Sequence, residues 1–165
     1  MMKRYTHLAQ FFLGVTFNWG VILAWSEGSG LDTDWLKVVP LFIGSIMWTV
    51  LYDTVYALQD IKYDKKLNLK SFAMVLGKSP TSKLQIFNLM SVGFYTAFGY
   101  SSNHSLPYYL SIMTKGLSNF WMLSRLNPKN IVQCGQFFAT NGLLGALLVW
   151  GTLTSRLSDP LITQN

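Results

Sequence analysis

Five long apolar stretches constrain this chain more than any other feature: residues 9–25, 36–58, 84–100, 107–124 and 137–154. Each is about the length that carries a helix across ~30 Å of hydrocarbon. A soluble domain of 165 residues could bury a core, but its apolar residues would then fall in amphipathic stripes instead of runs. The expected fold is therefore all-α: a polytopic transmembrane helical bundle of about five spans, forming a single integral-membrane domain over residues 1–165. There is no internal repeat and no low-complexity tract.

The polar residues inside the runs say which faces turn inward. Asn18, Asn88, Lys115, Asn119 and Asn141 would cost free energy against lipid, so they are expected to face the bundle interior. The loops set the orientation. With the N-terminus on one side, that side receives Lys3, Arg4, Lys62, Lys65, Lys66, Lys70, Lys78, Lys83, Arg125 and Lys129. These are ten of the 13 basic residues, and the opposite side receives Lys37 and Arg156 with Glu27, Asp32, Asp34 and Asp159. By the positive-inside rule the N-terminus lies on the cytoplasmic or equivalent face and the C-terminus on the other. The same alternation accounts for the net charge of +6 without nucleic acid.

Most tryptophans stand toward segment ends, as interfacial belts require. Gly142 and Ala146, four apart, would let another helix approach, as such a pair in any apolar helix could. Cys134, the only cysteine, reads as a small buried apolar side chain, which excludes a disulfide framework and a cysteine zinc site. His7 and His104 have no metal-ligand neighbours and read as surface or interfacial histidines. Lys3 and Arg4 ahead of an apolar stretch resemble a signal peptide, but Asn18-Trp19 breaks the stretch and no small-x-small cleavage site follows.

Residues 52–66, YDTVYALQDIKYDKK, hold three of the seven acids. If the second run continues as a helix through residue 64, Asp53, Tyr56, Asp60 and Asp64 fall on one stripe, with Asp60 and Asp64 one turn and about 6 Å of rise apart. Carboxylates near hydrocarbon repel each other and need a compensating charge. Mg²⁺ takes hard oxygen ligands and characteristically binds through one or two carboxylates plus substrate phosphates. The pair therefore reads as a Mg²⁺–diphosphate site at the membrane surface, with Lys62, Lys65, Lys66 and Lys70 able to meet phosphate oxygens or lipid headgroups. Spacing alone equally allows a solvated helix end whose Asp and Lys side chains pair with each other.

The stretch YDTVYALQDIKYDKKLNLKS resembles the second aspartate-rich motif of the UbiA-type intramembrane prenyltransferases, and MKRYTHLAQFFLGVTFNWG resembles the preceding segment in the 4-hydroxybenzoate branch of that family. The resemblance implies a helical bundle around a central cavity, in which two aspartate-rich motifs hold Mg²⁺ and the diphosphate of a polyprenyl donor. It implies transfer of the polyprenyl group to the ring of 4-hydroxybenzoate in ubiquinone biosynthesis. Carried onto this chain, Asp60 and Asp64 match the metal-binding D-x-x-x-D, and Asp53, Tyr56 and Lys70 match positions of the same block with catalytic or substrate-binding roles. Lys3 and Arg4 match the basic pair before the first span and are candidate substrate contacts. Departures are Lys62 and Tyr63 at residues often acidic, Asn68 at the usual glycine, Phe72 at the usual threonine and Ala9 at the proline of L-P-Q.

The family has about nine spans, so five match its C-terminal half, and the first motif, N-D-x-x-D-x-x-x-D, does not occur in the 165 residues. Two expectations follow. One is a Mg²⁺-dependent prenyltransferase acting on polyprenyl diphosphate and 4-hydroxybenzoate in contact with membrane lipid. The other is a catalytically inactive truncated remnant, or one half of a split enzyme that needs a separate N-terminal half as partner. A small transporter with Asp53 and Lys115 along its path is a third class, disfavoured by the length of the motif match. A chain without an Arg/Ser-rich leader favours a bacterial inner membrane, with a mitochondrial inner membrane as the alternative.

Overall fold

Each apolar run becomes a helix, and side-chain caps start two of the five. The computed structural model describes residues 2–29 and 34–158, so Asp32 and Asp159 lie outside the described residues. The long helices are α1 (Ala9–Ser29), α2 (Trp35–Ala57), α5 (Pro80–Ser101), α6 (Leu106–Arg125) and α7 (Ile131–Leu157), with α3 (Ile61–Lys66) and α4 (Phe72–Val75) as short pieces between α2 and α5. Among the described residues there is no strand.

The Asp34 carboxylate accepts from the Leu36 N–H at 3.2 Å and starts α2, and Asn130 accepts from the Gln133 N–H at 3.2 Å and starts α7. Pro80 opens α5, where its missing N–H costs nothing. These caps place helix starts ahead of the apolar runs: α5 begins four residues before 84 and α7 six before 137. The extra turn of α5, residues 80–83, is largely polar, whereas that of α7 mixes Ile131 and Val132 with Gln133 and Gln136.

The helices run alternately up and down, as two core clusters show. Leu51, Val55, Leu58, Leu84, Leu123, Cys134 and Phe137 gather the C-terminal ends of α2 and α6 with the starts of α5 and α7. Tyr95, Phe98, Tyr108, Ile112 and Leu148 gather the other ends of α5, α6 and α7. Helix α2 packs on α5, α5 on α6, α6 on α7 and α7 back on α2, closing a four-helix ring. Helix α1 lies outside the ring against α2. Cys134 is buried and free, as its apolar surroundings in the sequence suggest.

The centre of the ring is polar. Trp48 Nε1 donates to Asn141 Oδ1 at 2.7 Å, and Asn119 Nδ2 donates to the same oxygen at 3.1 Å. Lys115 is fully buried, donates to Ser91 Oγ at 2.6 Å and lies 4.8 Å from the Trp48 ring centre and 5.0 Å from that of Tyr95. Asn88 donates to the Gly116 carbonyl at 3.0 Å, and Asn18 to Thr49 Oγ1 at 2.8 Å. The expected inward-facing polar residues therefore tie helices together, as hydrogen bonding in an apolar medium favours.

Three features stand apart from the expectations. First, all five anticipated runs form long helices, and two helical stretches among the described residues, Trp35–Lys66 and Ile131–Leu157, are by length and composition apolar enough to cross a membrane. Polar groups inside α1, α5 and α6, such as Asn18, Asn88 and Lys115, dilute the apolar character of those helices. Second, His104 is buried instead of superficial: it stacks on Tyr108 with ring centres 4.3 Å apart and pairs with Ser155 Oγ at 3.0 Å. Folding the α5–α6 turn onto the end of α7 covers it. Third, Gly142 and Ala146 are exposed and Gly142 has nothing near its Cβ position. Close approach occurs instead at Gly99, where a Cβ would enter the Tyr108 ring, and at Gly151, where it would meet Ser111.

Candidate functional site

The helical path of α2 does not stop at Ala57. It tightens to a 3₁₀ turn at Leu58–Asp60 and resumes as α3. Three residues at three per turn add roughly 60° of rotation over an α-helix. The acidic stripe therefore twists across its length. Asp53 and Asp60 are half-buried, Tyr56 is 44% exposed, and Asp64 is buried.

After α3 the chain reverses through Asn68, whose φ of 51° lies in the left-handed region. Asn is among the few non-glycine residues that tolerate this conformation, which explains how it stands where related motifs carry glycine. The turn lets the Leu69 N–H donate to the Asp64 carbonyl at 2.8 Å and aims Lys70 at the N-terminal segment.

That segment is a 3₁₀ turn at Met2–Arg4 laid against the motif. Lys3 Nζ donates to both oxygens of Asp64, at 3.1 and 3.3 Å. The Lys70 N–H donates to the Lys3 carbonyl at 2.6 Å, and Lys70 Nζ donates to the Tyr5 carbonyl at 3.4 Å. One turn further on, the Phe72 N–H donates to Gln10 Oε1 at 3.0 Å. Phe11, Phe72 and Phe87 pack edge to face, with ring centres 5.2 to 5.8 Å apart, and fix the starts of α1, α4 and α5 beneath this junction.

The structure thus brings Lys3, Asp64 and Lys70 together, and puts Asp53 within electrostatic reach of both Lys3 and Asp60. Tyr56 turns toward α7, its ring 5.2 Å from that of Phe138. Arg4 is exposed and forms no ion pair among the described residues. Lys62, Lys65 and Lys66 are exposed, and the buried carboxylate of Asp64 pairs not with them but with a lysine 61 residues away.

Sequence reasoning passed over Gln10. It is 2% exposed and closes the link between α1 and α4. Its one signal was a polar side chain at the very start of an apolar run.

Among the described residues no three His, Cys, Asp or Glu side chains converge as a metal cage. The donors at hand are Asp60 and Asp64, with Asp53 nearby. Two hard carboxylates with one ammonium, Lys3, beside Asp64 suit Mg²⁺ shared with a phosphate ligand, which needs few protein oxygens, better than a metal held by protein alone.

The model of the UbiA prenyltransferase family matches residues 1–151. The chain belongs to the UbiA prenyltransferase family. It is 35% identical over 157 residues to the mitochondrial 4-hydroxybenzoate polyprenyltransferase of Rattus norvegicus, covering 95% of this chain and 42% of that protein. The protein of the same name from Arabidopsis thaliana is 33% identical over 156 residues, 94% of this chain and 38% of the relative. That of Homo sapiens is 32% identical over 157 residues, with 95% and 42% covered. The chain therefore spans less than half the length of these curated relatives. No solved structure matches it. UbiA proteins are integral to membranes, and the two long apolar stretches of this member fit that setting.

Proposed function

We propose that this chain carries the diphosphate-binding wall of a prenyl-transfer site, which moves a polyprenyl group from polyprenyl diphosphate to the ring of 4-hydroxybenzoate on the route to ubiquinone. The observation that carries this reading is the cluster at one end of the bundle: the distant Lys3 is folded onto Asp64, one turn on from Asp60, and Lys70 of the same motif holds the Lys3 segment there through the Lys3 and Tyr5 carbonyls. Family membership and the names of the relatives support the reaction class.

Asp60 and Asp64 would hold Mg²⁺, which when bound draws charge from the departing diphosphate. Lys70, Lys3 and Arg4 would meet the phosphate oxygens as point charges and donors. In the transfer the allylic C–O bond breaks, with its electron pair leaving on the diphosphate. The ring carbon meta to the carboxylate forms the new C–C bond and then loses its proton. Asp53, half-buried on α2 seven residues before Asp60, would take that proton or orient the acceptor. Tyr56, beside Phe138, would contribute to the wall against which the acceptor ring packs.

The whole chain would act as one integral-membrane domain of five spans, with exposed apolar side chains such as Leu89, Leu117, Leu143 and Val149 against lipid. The basic loops and the aspartate motif would share the cytoplasmic or matrix side. Either a bacterial or a mitochondrial inner membrane meets this requirement. The second reading, a chain inactive by itself that needs an N-terminal half, is favoured by the single aspartate-rich motif in the sequence.

The test is prenylation in membranes that lack their own 4-hydroxybenzoate prenyltransferase, supplied with Mg²⁺, polyprenyl diphosphate and 4-hydroxybenzoate. Prenylated acid that disappears in Asp60→Ala and Asp64→Ala supports activity of the chain itself. Product only after an N-terminal half of a relative is co-expressed supports the split reading. No product under either condition, with the protein present in the membrane, contradicts both.

A further inference from the structure

The carboxylate that the proposed function gives to a metal is already engaged. Lys3 Nζ spans both oxygens of Asp64, and the Asp64 side chain is 6% exposed. A buried carboxylate needs a partner charge, and one ammonium supplies it here. The Lys3 ammonium sits astride both oxygens, where a chelated cation would sit, and repels a second positive charge, so a divalent cation taking both oxygens of Asp64 competes with Lys3.

The structure shows how that exchange can occur without unfolding the site. The backbone of Lys3 is fixed by the Lys70 N–H, and the next turn is fixed by Gln10 and Phe72. The Lys3 side chain is 34% exposed, so it has a solvent-side path along which a flexible four-carbon stem can swing. Its closest alternatives as counter-ion, Lys62, Lys65 and Lys66, are exposed and make no ion pair with Asp64.

We propose that Lys3 is an exchangeable counter-ion of the diphosphate site: it neutralises Asp64 while the site is empty, yields Asp64 to a divalent cation, and passes to the diphosphate that arrives with it. This rests on the reading of Asp60 and Asp64 as the donor site. Its consequence is coupling. A divalent cation alone binds against the Lys3–Asp64 pair and so binds weakly. Cation and diphosphate together bind more readily, because the displaced ammonium gains phosphate oxygens in place of Asp64. Lys3 is in this sense a positioning residue that makes the site answer to the pair of ligands and not to the metal alone.

The experiment uses the full chain in nanodiscs, with Mn²⁺ as the probe metal read by electron paramagnetic resonance and inorganic pyrophosphate as the anion. Lys3→Gln is expected to bind Mn²⁺ alone more tightly, by roughly fivefold, the scale of losing one competing partly exposed ion pair. The gain in Mn²⁺ affinity on adding pyrophosphate should shrink in the same variant, while Lys3→Arg keeps both properties near the parent. A merely structural role would weaken Mn²⁺ binding in Lys3→Gln with and without pyrophosphate. That result, or unchanged binding of Mn²⁺ alone, overturns the proposal. Asp64→Asn separates the two levels. If it abolishes Mn²⁺ binding but Lys3→Gln has no effect, the counter-ion role alone is wrong. If Asp64→Asn binds like the parent, or no form binds Mn²⁺ at all, the donor-site reading fails and takes the exchange with it.

Discussion

The indole N–H of Trp48 on α2 donates to the amide oxygen of Asn141 on α7 at 2.7 Å, at the centre of the four-helix ring. Asn119 on α6 adds a second bond to that oxygen. Replacing Asn141 by Leu leaves two donors without an acceptor in an apolar interior. The expected cost is about 1–2 kcal/mol, measured as equilibrium unfolding in mixed micelles. A stability equal to the parent would mean that both donors find other partners.

Lys115 is the harder case, because no acid faces it among the described residues; Ser91 Oγ and the faces of Trp48 and Tyr95 are its partners. Ring faces attract a cation, by about 2 kcal/mol when desolvated, but an ammonium out of water costs several kcal/mol. Lys115→Met should therefore fold and lie within about 1 kcal/mol of the parent, or above it, while Lys115→Glu, which turns a carboxylate on the same ring faces, should lose about 3 kcal/mol or more. A Met variant that unfolds much earlier would assign Lys115 a net stabilising role in holding the ring together.

Two glycines give opposite expectations. A Cβ at Gly99 would enter the ring of Tyr108, which is held by its hydroxyl to the Tyr95 carbonyl at 2.9 Å and by stacking on His104. Gly99→Ala should cost about 1–3 kcal/mol through overpacking. Gly142→Ala meets open space on a helix and should be neutral or stabilising by up to about 1 kcal/mol. Thermal unfolding of the two variants side by side reads the difference.

His104 makes stability depend on pH. Burial, with the Arg156 charge adding to it, lowers its pKa from 6.5 to about 4. Over that window the unfolded chain binds a proton that the folded chain refuses, so stability is full above pH 6.5 and falls as pH drops toward 4. His104→Gln should flatten this part of the profile in chemical unfolding measured across pH. An unchanged slope would mean that other groups set it.

How much of this could be read from the chain follows from how local each signal is. The five long helices were legible because an apolar run and its caps act within a few residues, and Pro80, Asp34 and Asn130 sit where helices begin. The inward turn of Lys115 and Asn119 followed from the cost of facing lipid. The Lys3–Asp64 pair was not legible, because 61 residues separate its members and nearer lysines offered themselves to the same acid. The 3₁₀ tightening at Leu58–Asp60, which twists the acidic stripe, has no local signature in the apolar pattern either. His104 looked superficial because its burial comes from Ser155 and Tyr108, which only tertiary packing brings to it.

The central claim is that this chain's own aspartates bind a diphosphate through a divalent cation. Its most direct test is equilibrium binding of a non-reactive polyprenyl thiodiphosphate to the full chain in nanodiscs, with and without Mg²⁺, for the parent, Asp60→Asn and Asp64→Asn. The expected result is Mg²⁺-dependent binding that falls at least tenfold in both variants. Binding that ignores Mg²⁺, or survives in both variants, would contradict the claim and leave the aspartate motif as a paired helix end.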